Sequence, residues 1–153
     1  MQHENYKDDL MDEVVIDGSG DILGRTASAV AKMLLKGSKV SIVNAEKMLI
    51  SGHFDSIVSK YKRRVNLKDK ANPEHSPFWS RRPDLFVKRV VRGMLPYKQA
   101  KGKSAYKNLR VYIGLPKELE GLKPVKIAGK PAEKIYERTY TVEEIAKALG
   151  YNK

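Results

Sequence analysis

A chain of 153 residues, 41% of them hydrophobic, has the length of one domain and the material for one core, and its 31% charged residues imply an extensive polar surface. It contains no cysteine, which excludes disulfides, thiolate metal sites and cysteine nucleophiles. Thirty Lys and Arg against 18 Asp and Glu leave a net charge of +12, a field that attracts polyanions.

The charge is unevenly placed. Residues 1–21 carry Glu4, Asp8, Asp9, Asp12, Glu13, Asp17 and Asp21 against Lys7 alone, whereas 60–110 carries sixteen bases against Asp69, Glu74 and Asp84, a net +13. Like charges crowded together destabilise a compact state unless a partner neutralises them, so the clustering points to nucleic acid more strongly than the total does. No stretch approaches the roughly 18 uninterrupted apolar residues of a membrane span. The acidic N-terminus also lacks the layout of a signal peptide, and an intracellular, soluble protein is expected.

Residues 1–13 read as an acidic leader and 14–153 as a single domain. Val14-Val15-Ile16 reads as a short buried strand, closed by a turn at Asp17-Gly18-Ser19-Gly20-Asp21. Ala27, Val30, Ala31, Leu34 and Leu35 then recur on one helical face, with Asp21 as candidate N-cap and Gly37 as terminator. Val40-Ser41-Ile42-Val43 supplies a second strand, and strand, helix and strand make a βαβ unit with parallel strands, hence an α/β fold.

Phe54, Ile57, Val58, Tyr61 and Val65 mark a second helix, with Lys60, Lys62, Arg63, Arg64 and Lys68 toward its C-terminal end, where cations complement the helix dipole. The stretch 69–82 reads as an exposed loop, and Pro83 as the first residue of a third helix with Phe86, Val87, Val90, Val91 and Met94 on its buried side. Pro96 should stop that helix. A short basic helix interrupted by Gly102 follows at 98–109, then a strand at Arg110-Val111-Tyr112-Ile113. Periodicity assigns nothing over 117–140, but Thr141-Val142-Glu143-Glu144 is a capping box opening a last helix, with Gly150 beyond its end.

Several sites compete. Gly18, Gly20 and Gly24 between strand and helix resemble a phosphate cradle, but the spacing is not that of the dinucleotide fingerprint, and Asp17 and Asp21 would meet the phosphate; tight-turn and packing roles are expected instead. His3, His53 and His75 are not at metal-ligand spacing, and no motif nominates a catalytic residue. The last helix could open a helix-turn-helix, but only Tyr151, Asn152 and Lys153 follow it, so a docked C-terminal helix is expected. In 60–110 the bases are interleaved with Tyr61, Phe78, Trp79, Tyr97 and Tyr106, a mixture suited to phosphates and stacked bases; Tyr61 and Phe78 are expected in the core, and Trp79 is open to either role.

Val91-Arg92-Gly93-Met94-Leu95-Pro96, Gly102-Lys103 and Leu109-Arg110-Val111-Tyr112-Ile113-Gly114 closely resemble the signature of the family of ribosomal protein thirteen of the large subunit. Leu23-Gly24-Arg25-Thr26-Ala27-Ser28, Val43-Asn44-Ala45-Glu46-Lys47 and Ser51-Gly52 are similar to the same family, so the resemblance covers about 14–153. The short loop after Gly114-Leu115-Pro116, the final helix, and the absence of a His-Pro-His motif resemble its archaeal and eukaryotic branch. The resemblance implies a three-layer α/β/α domain on a parallel four-stranded sheet and a non-catalytic, cofactor-free, cytoplasmic constituent of the large subunit. Such a protein binds large-subunit ribosomal RNA beside neighbouring ribosomal proteins and supports early assembly, with no membrane and no small-molecule substrate among its partners. With the charge pattern, it nominates as RNA contacts Arg25, Lys60, Lys62, Arg63, Arg64, Trp79, Arg81, Arg82, Lys88, Arg89, Arg92, Lys98, Lys101 and Lys103.

Overall fold

The computed structural model describes residues 13–127 and 138–152. In chain order its elements are β1 (Glu13–Asp17), α1 (Leu23–Leu35), β2 (Lys39–Val43), β3 (Leu49–Ser51), α2 (Phe54–Asn66), α3 (Pro83–Met94), α4 (Ala100–Lys107), β4 (Leu109–Val111), β5 (Thr139–Thr141) and α5 (Val142–Ala148), with 3₁₀ turns at Ala45–Lys47, Pro73–His75 and Lys117–Leu119. Apart from Glu13, the acidic leader lies outside the described residues.

The βαβ unit forms as expected. β1, β2 and β4 make a parallel sheet in that order, with Ile16 beside Ile42 and Val40 beside Leu109. Alternation along these strands sends Ile16, Val40, Ile42 and Leu109 to one face, where they join the main core with side chains from all five described helices. The strands advance in one direction from β1 to β4, so right-handed crossovers carry their connecting helices to the same face. On the other face, Val15 and Val43 pack with Leu119 and Tyr112 in a smaller cluster.

The sheet has three parallel strands among the described residues, not four. At the place a fourth would take, beside β1, Val125 makes a single parallel bridge to Ile16: its N–H donates to the Val15 carbonyl at 2.8 Å and its carbonyl accepts from the Asp17 N–H at 3.3 Å. Pro124, on its N-terminal side, has no N–H to give, which limits pairing in that direction. A second, antiparallel pair, β3 with β5, brings the 139–141 segment onto Leu49–Ser51; strands of three residues carry too little periodicity to be read from sequence.

Other expectations change in detail. Asp21 does not cap α1: Ile22 holds that position without a side-chain cap, while Asp21 is buried with Oδ2 unpartnered, and burial pushes its carboxyl above the usual range. Met94 is 42% exposed and not on the buried side of α3. Gly102 does not interrupt a helix but lies within α4, and a Cβ there would overlap the Pro96 carbonyl, so a glycine is what lets α4 seat on that turn. The capping box on α5 forms in full: Thr141 Oγ1 accepts from the Glu144 N–H at 3.2 Å and Glu144 Oε2 from the Thr141 N–H at 2.8 Å. Val142 and Ile145 are fully buried, as a docked terminal helix requires.

The glycines of the first turn separate into two kinds. A Cβ at Gly18 would stand 2.8 Å from Met48 Cγ and 3.2 Å from the Val43 carbonyl oxygen, whereas one at Gly24, exposed in the first turn of α1, would meet nothing. Packing is therefore the role of Gly18 and not of Gly24. Gly18→Ala should lower stability by about 1–3 kcal/mol through overpacking, and Gly24→Ala should leave it unchanged or raise it by up to about 1 kcal/mol through helix propensity; urea unfolding of the two variants checks both signs.

Candidate nucleic-acid interface

The apolar stripe of α2 buries Ile57 and Tyr61, and this fixes which of its cations face inward toward the rest of the site. Lys60 and Arg64, one turn apart, flank the buried side, whereas Lys62 lies roughly 200° around the helix from Lys60 and falls on the opposite flank. The Tyr61 ring packs edge-on against Phe86 at 4.6 Å between centroids, and Trp79 closes the group at 5.9 Å from Tyr61 and 6.3 Å from Phe86. Burial pushes the Tyr61 hydroxyl above its ordinary pKa, with nearby Arg64 opposing the shift. Trp79 is half-buried, and the guanidinium groups of Arg64 and Arg89 lie over its ring at 5.0 and 5.4 Å. Each such cation–π contact contributes about 0.5–1 kcal/mol at an exposed site.

A second tier is built where α3 ends. Leu95 is buried and Pro96 halts the helix, after which the chain turns sharply, the Tyr97 N–H donating to the Leu95 carbonyl at 2.8 Å and the Gln99 N–H to that of Pro96 at 3.0 Å. The turn presents Tyr97 to Arg92 at 3.8 Å and, edge-on, to Tyr106 at 5.4 Å; Lys88 lies over Tyr106 at 5.2 Å. Burial raises the pKa of the Tyr106 hydroxyl, and Arg92 works against that shift.

Between the two tiers runs an open groove of about 890 Å³, with Lys60, Arg64, Arg89, Arg92 and Lys98 around it and Val90, Gly93, Met94, Leu95, Pro96 and Gln99 completing the lining with the aromatic rings. Among the described residues none of these five cations has an acidic partner within ion-pair distance.

Of the residues nominated from sequence, the structure thus brings together Lys60, Arg64, Trp79, Arg89, Arg92 and Lys98, with Lys88 on the adjoining Tyr106. Arg25 is exposed in the first turn of α1, Lys62 and Arg63 are exposed on α2, and Lys101 and Lys103 are exposed on α4; none of these five lines the groove. Arg81 reaches the end of α5, its Cδ and Nε 3.8 Å from where a Cβ on Gly150 would stand. Phe78, expected in the core, is 79% exposed beside Trp79. The apolar lining from Val90 to Pro96 falls largely inside the 91–96 motif, but helical periodicity alone assigned Met94 to the core and gave Gly93 no role.

The family model for Ribosomal protein L13 matches residues 11–118, a span that contains the whole groove. The chain belongs to the ribosomal protein L13 family. Three archaeal relatives, each described as large ribosomal subunit protein uL13, agree. The protein of Methanosphaera stadtmanae is 46% identical over 137 residues, 89% of this chain and 96% of the relative. That of Archaeoglobus fulgidus is 41% identical over 142 residues, 92% and 89% of the two chains, and that of Methanocaldococcus jannaschii 43% over 138 residues, 89% and 96%.

Within this L13-family chain the N–H groups of residues 18–21 in the glycine-bearing turn are already engaged within the fold. Those of Gly18, Gly20 and Asp21 donate to the carbonyls of Val43, Lys47 and Gly18, and that of Ser19 to Asp17 Oδ1, which also accepts from Asn44 Nδ2 at 2.9 Å. Among the described residues no group of His, Asp or Glu is arranged to hold a metal. Arg82 is bound internally as well: its guanidinium forks onto the buried Asp84 at 2.8 and 3.2 Å, at the head of α3. Its first role is to hold that helix start. Arg82→Gln should lower stability by about 1 kcal/mol, the exposure of the guanidinium keeping the loss modest, and thermal unfolding beside Arg63→Gln, which should be neutral, measures the difference.

Proposed function

We propose that this chain is a non-catalytic structural constituent of the large ribosomal subunit, binding large-subunit ribosomal RNA and supporting early assembly. The observation that carries this reading is the groove between the Trp79 and Tyr97 tiers, where five cations stand without acidic partners among the described residues. In folded RNA, phosphates from different strands come close together, and Lys and Arg presented on a rigid body neutralise them while fixing the protein's register. Arginine suits the task, since its fork meets phosphate oxygens two at a time. The relatives' description as large-subunit proteins supports the same partner. Lys62, Arg63, Arg81, Lys101, Lys103 and Arg25 are outlying phosphate contacts in this proposal, and the exposed position of most of them is compatible with it.

The proposal extends to the organisation of the chain: residues 14–153 form one α/β domain. Neighbouring large-subunit proteins are the other partners, and the working location is the cytoplasm. Among the described residues no helix is long and apolar enough to cross a membrane.

Two measurements test this. The tagged chain in its own cells should sediment with large subunits and come off only at high salt; sedimentation as a free protein would contradict the proposal. On a large-subunit RNA fragment, replacing Lys60, Arg64, Arg89 and Arg92 by Gln should flatten the dependence of log affinity on log salt by about 0.7–0.9 per lost phosphate contact. The same number of changes at Lys32, Lys36, Lys117 and Lys123 should alter it far less, and equal effects would place the contact face elsewhere.

A further inference from the structure

Gly93 stands one residue before the end of α3 in a helical, negative-φ conformation, exposed, and with open space where a Cβ would lie. Nothing in the fold requires a glycine there, and glycine in a helix is less favourable than alanine. It lines the groove, at a place where a side chain would project into the space between the two tiers. Glycine in such a position serves the close approach of a ligand to the backbone.

The groove itself is larger and more apolar than phosphate contacts need. Met94, Leu95, Pro96 and Val90 give the open groove an uncharged bed inside the ring of cations. A duplex cannot use that bed, because its base faces are stacked on one another; an unpaired base can be splayed out and laid against aromatic rings or guanidinium planes. Arg64 and Arg89 over Trp79, and Arg92 over Tyr97, offer such planes on either side.

We propose that this groove receives one unpaired nucleotide of the bound RNA, the base entering between the Trp79 and Tyr97 tiers over Gly93 and its phosphate held by the surrounding Lys and Arg. The proposal rests on the RNA-binding reading and adds the form of RNA that the groove selects.

Trp79 is the chain's single tryptophan, so its fluorescence reports on the groove directly. The test compares an RNA hairpin carrying a bulged adenine with the same hairpin lacking it, on the full chain and on Gly93→Leu, which retains every charge and adds a side chain where the base would lie. Affinity is read from the anisotropy of end-labelled RNA. The unmodified chain should favour the bulged hairpin by about tenfold, the contribution of a stacked base, with Trp79 emission changing on binding, and Gly93→Leu, melting no lower than the parent, should lose most of that preference. Equal affinity for both hairpins with unchanged Trp79 emission would overturn the proposal while leaving RNA binding in place. A preference undiminished in Gly93→Leu would overturn it too, and failure of the full chain to bind either hairpin would overturn the RNA-binding reading with it.

Discussion

The contact between the rings of Phe86 and Tyr61 joins the hydrophobic core to the charged surface. Phe86 is 1% exposed and belongs to the main core; Tyr61 packs on it from α2, and Trp79 packs on both from the 67–82 connection. Helix α2, the 67–82 connection and helix α3 are thereby held in register by burial and ring geometry, which together hold far better than flexible surface charges could. Arg64 and Arg89 take their places on the exposed side of that joint. The groove inherits its rigidity from the core beneath it.

The same arrangement accounts for how so much like charge is tolerated on one side of a small protein. Lysines and arginines crowded together repel, and here the repulsion is offset in part by the aromatic faces beneath Arg64, Arg89, Arg92 and Lys88. The acid that does pair in this region, Asp84, is buried at the start of α3 and engages Arg82. That pair secures the helix carrying Arg89 and Arg92 and does not quench them. Gly102 contributes from the other side, since the seating of α4 on the turn after Pro96 sets where Tyr97 can stand.

Much of this was legible in the sequence wherever burial imposes a period. The stripes of α1, α2 and α3, the parallel pairing of β1 with β2, the capping box on α5 and the break at Pro96 all follow from apolar spacing or from residues with restricted backbone chemistry. What escaped has physical reasons too. Met94 fits the helical period, but it falls at the helix end, where the core has already turned away; Phe78 is apolar in a loop that tethers only its neighbour Trp79. β3 and β5 are too short to show a pattern, and Asp21 has the chemistry of a cap but sits one residue too early for it. A count of bases could not tell that Arg82 faces Asp84 while Arg64 and Arg89 face Trp79, because that depends on partners brought close only by folding.

In the proposed function the Trp79–Tyr97 side of the molecule is the one turned toward RNA. That orientation is tested most directly by ultraviolet cross-linking of intact large subunits containing this chain, with the cross-linked peptides located by mass spectrometry. Nucleotide adducts should concentrate at 60–64, at Trp79 and across 89–99. Adducts confined to the exposed faces of α1 and α5, with none on those segments, would contradict it.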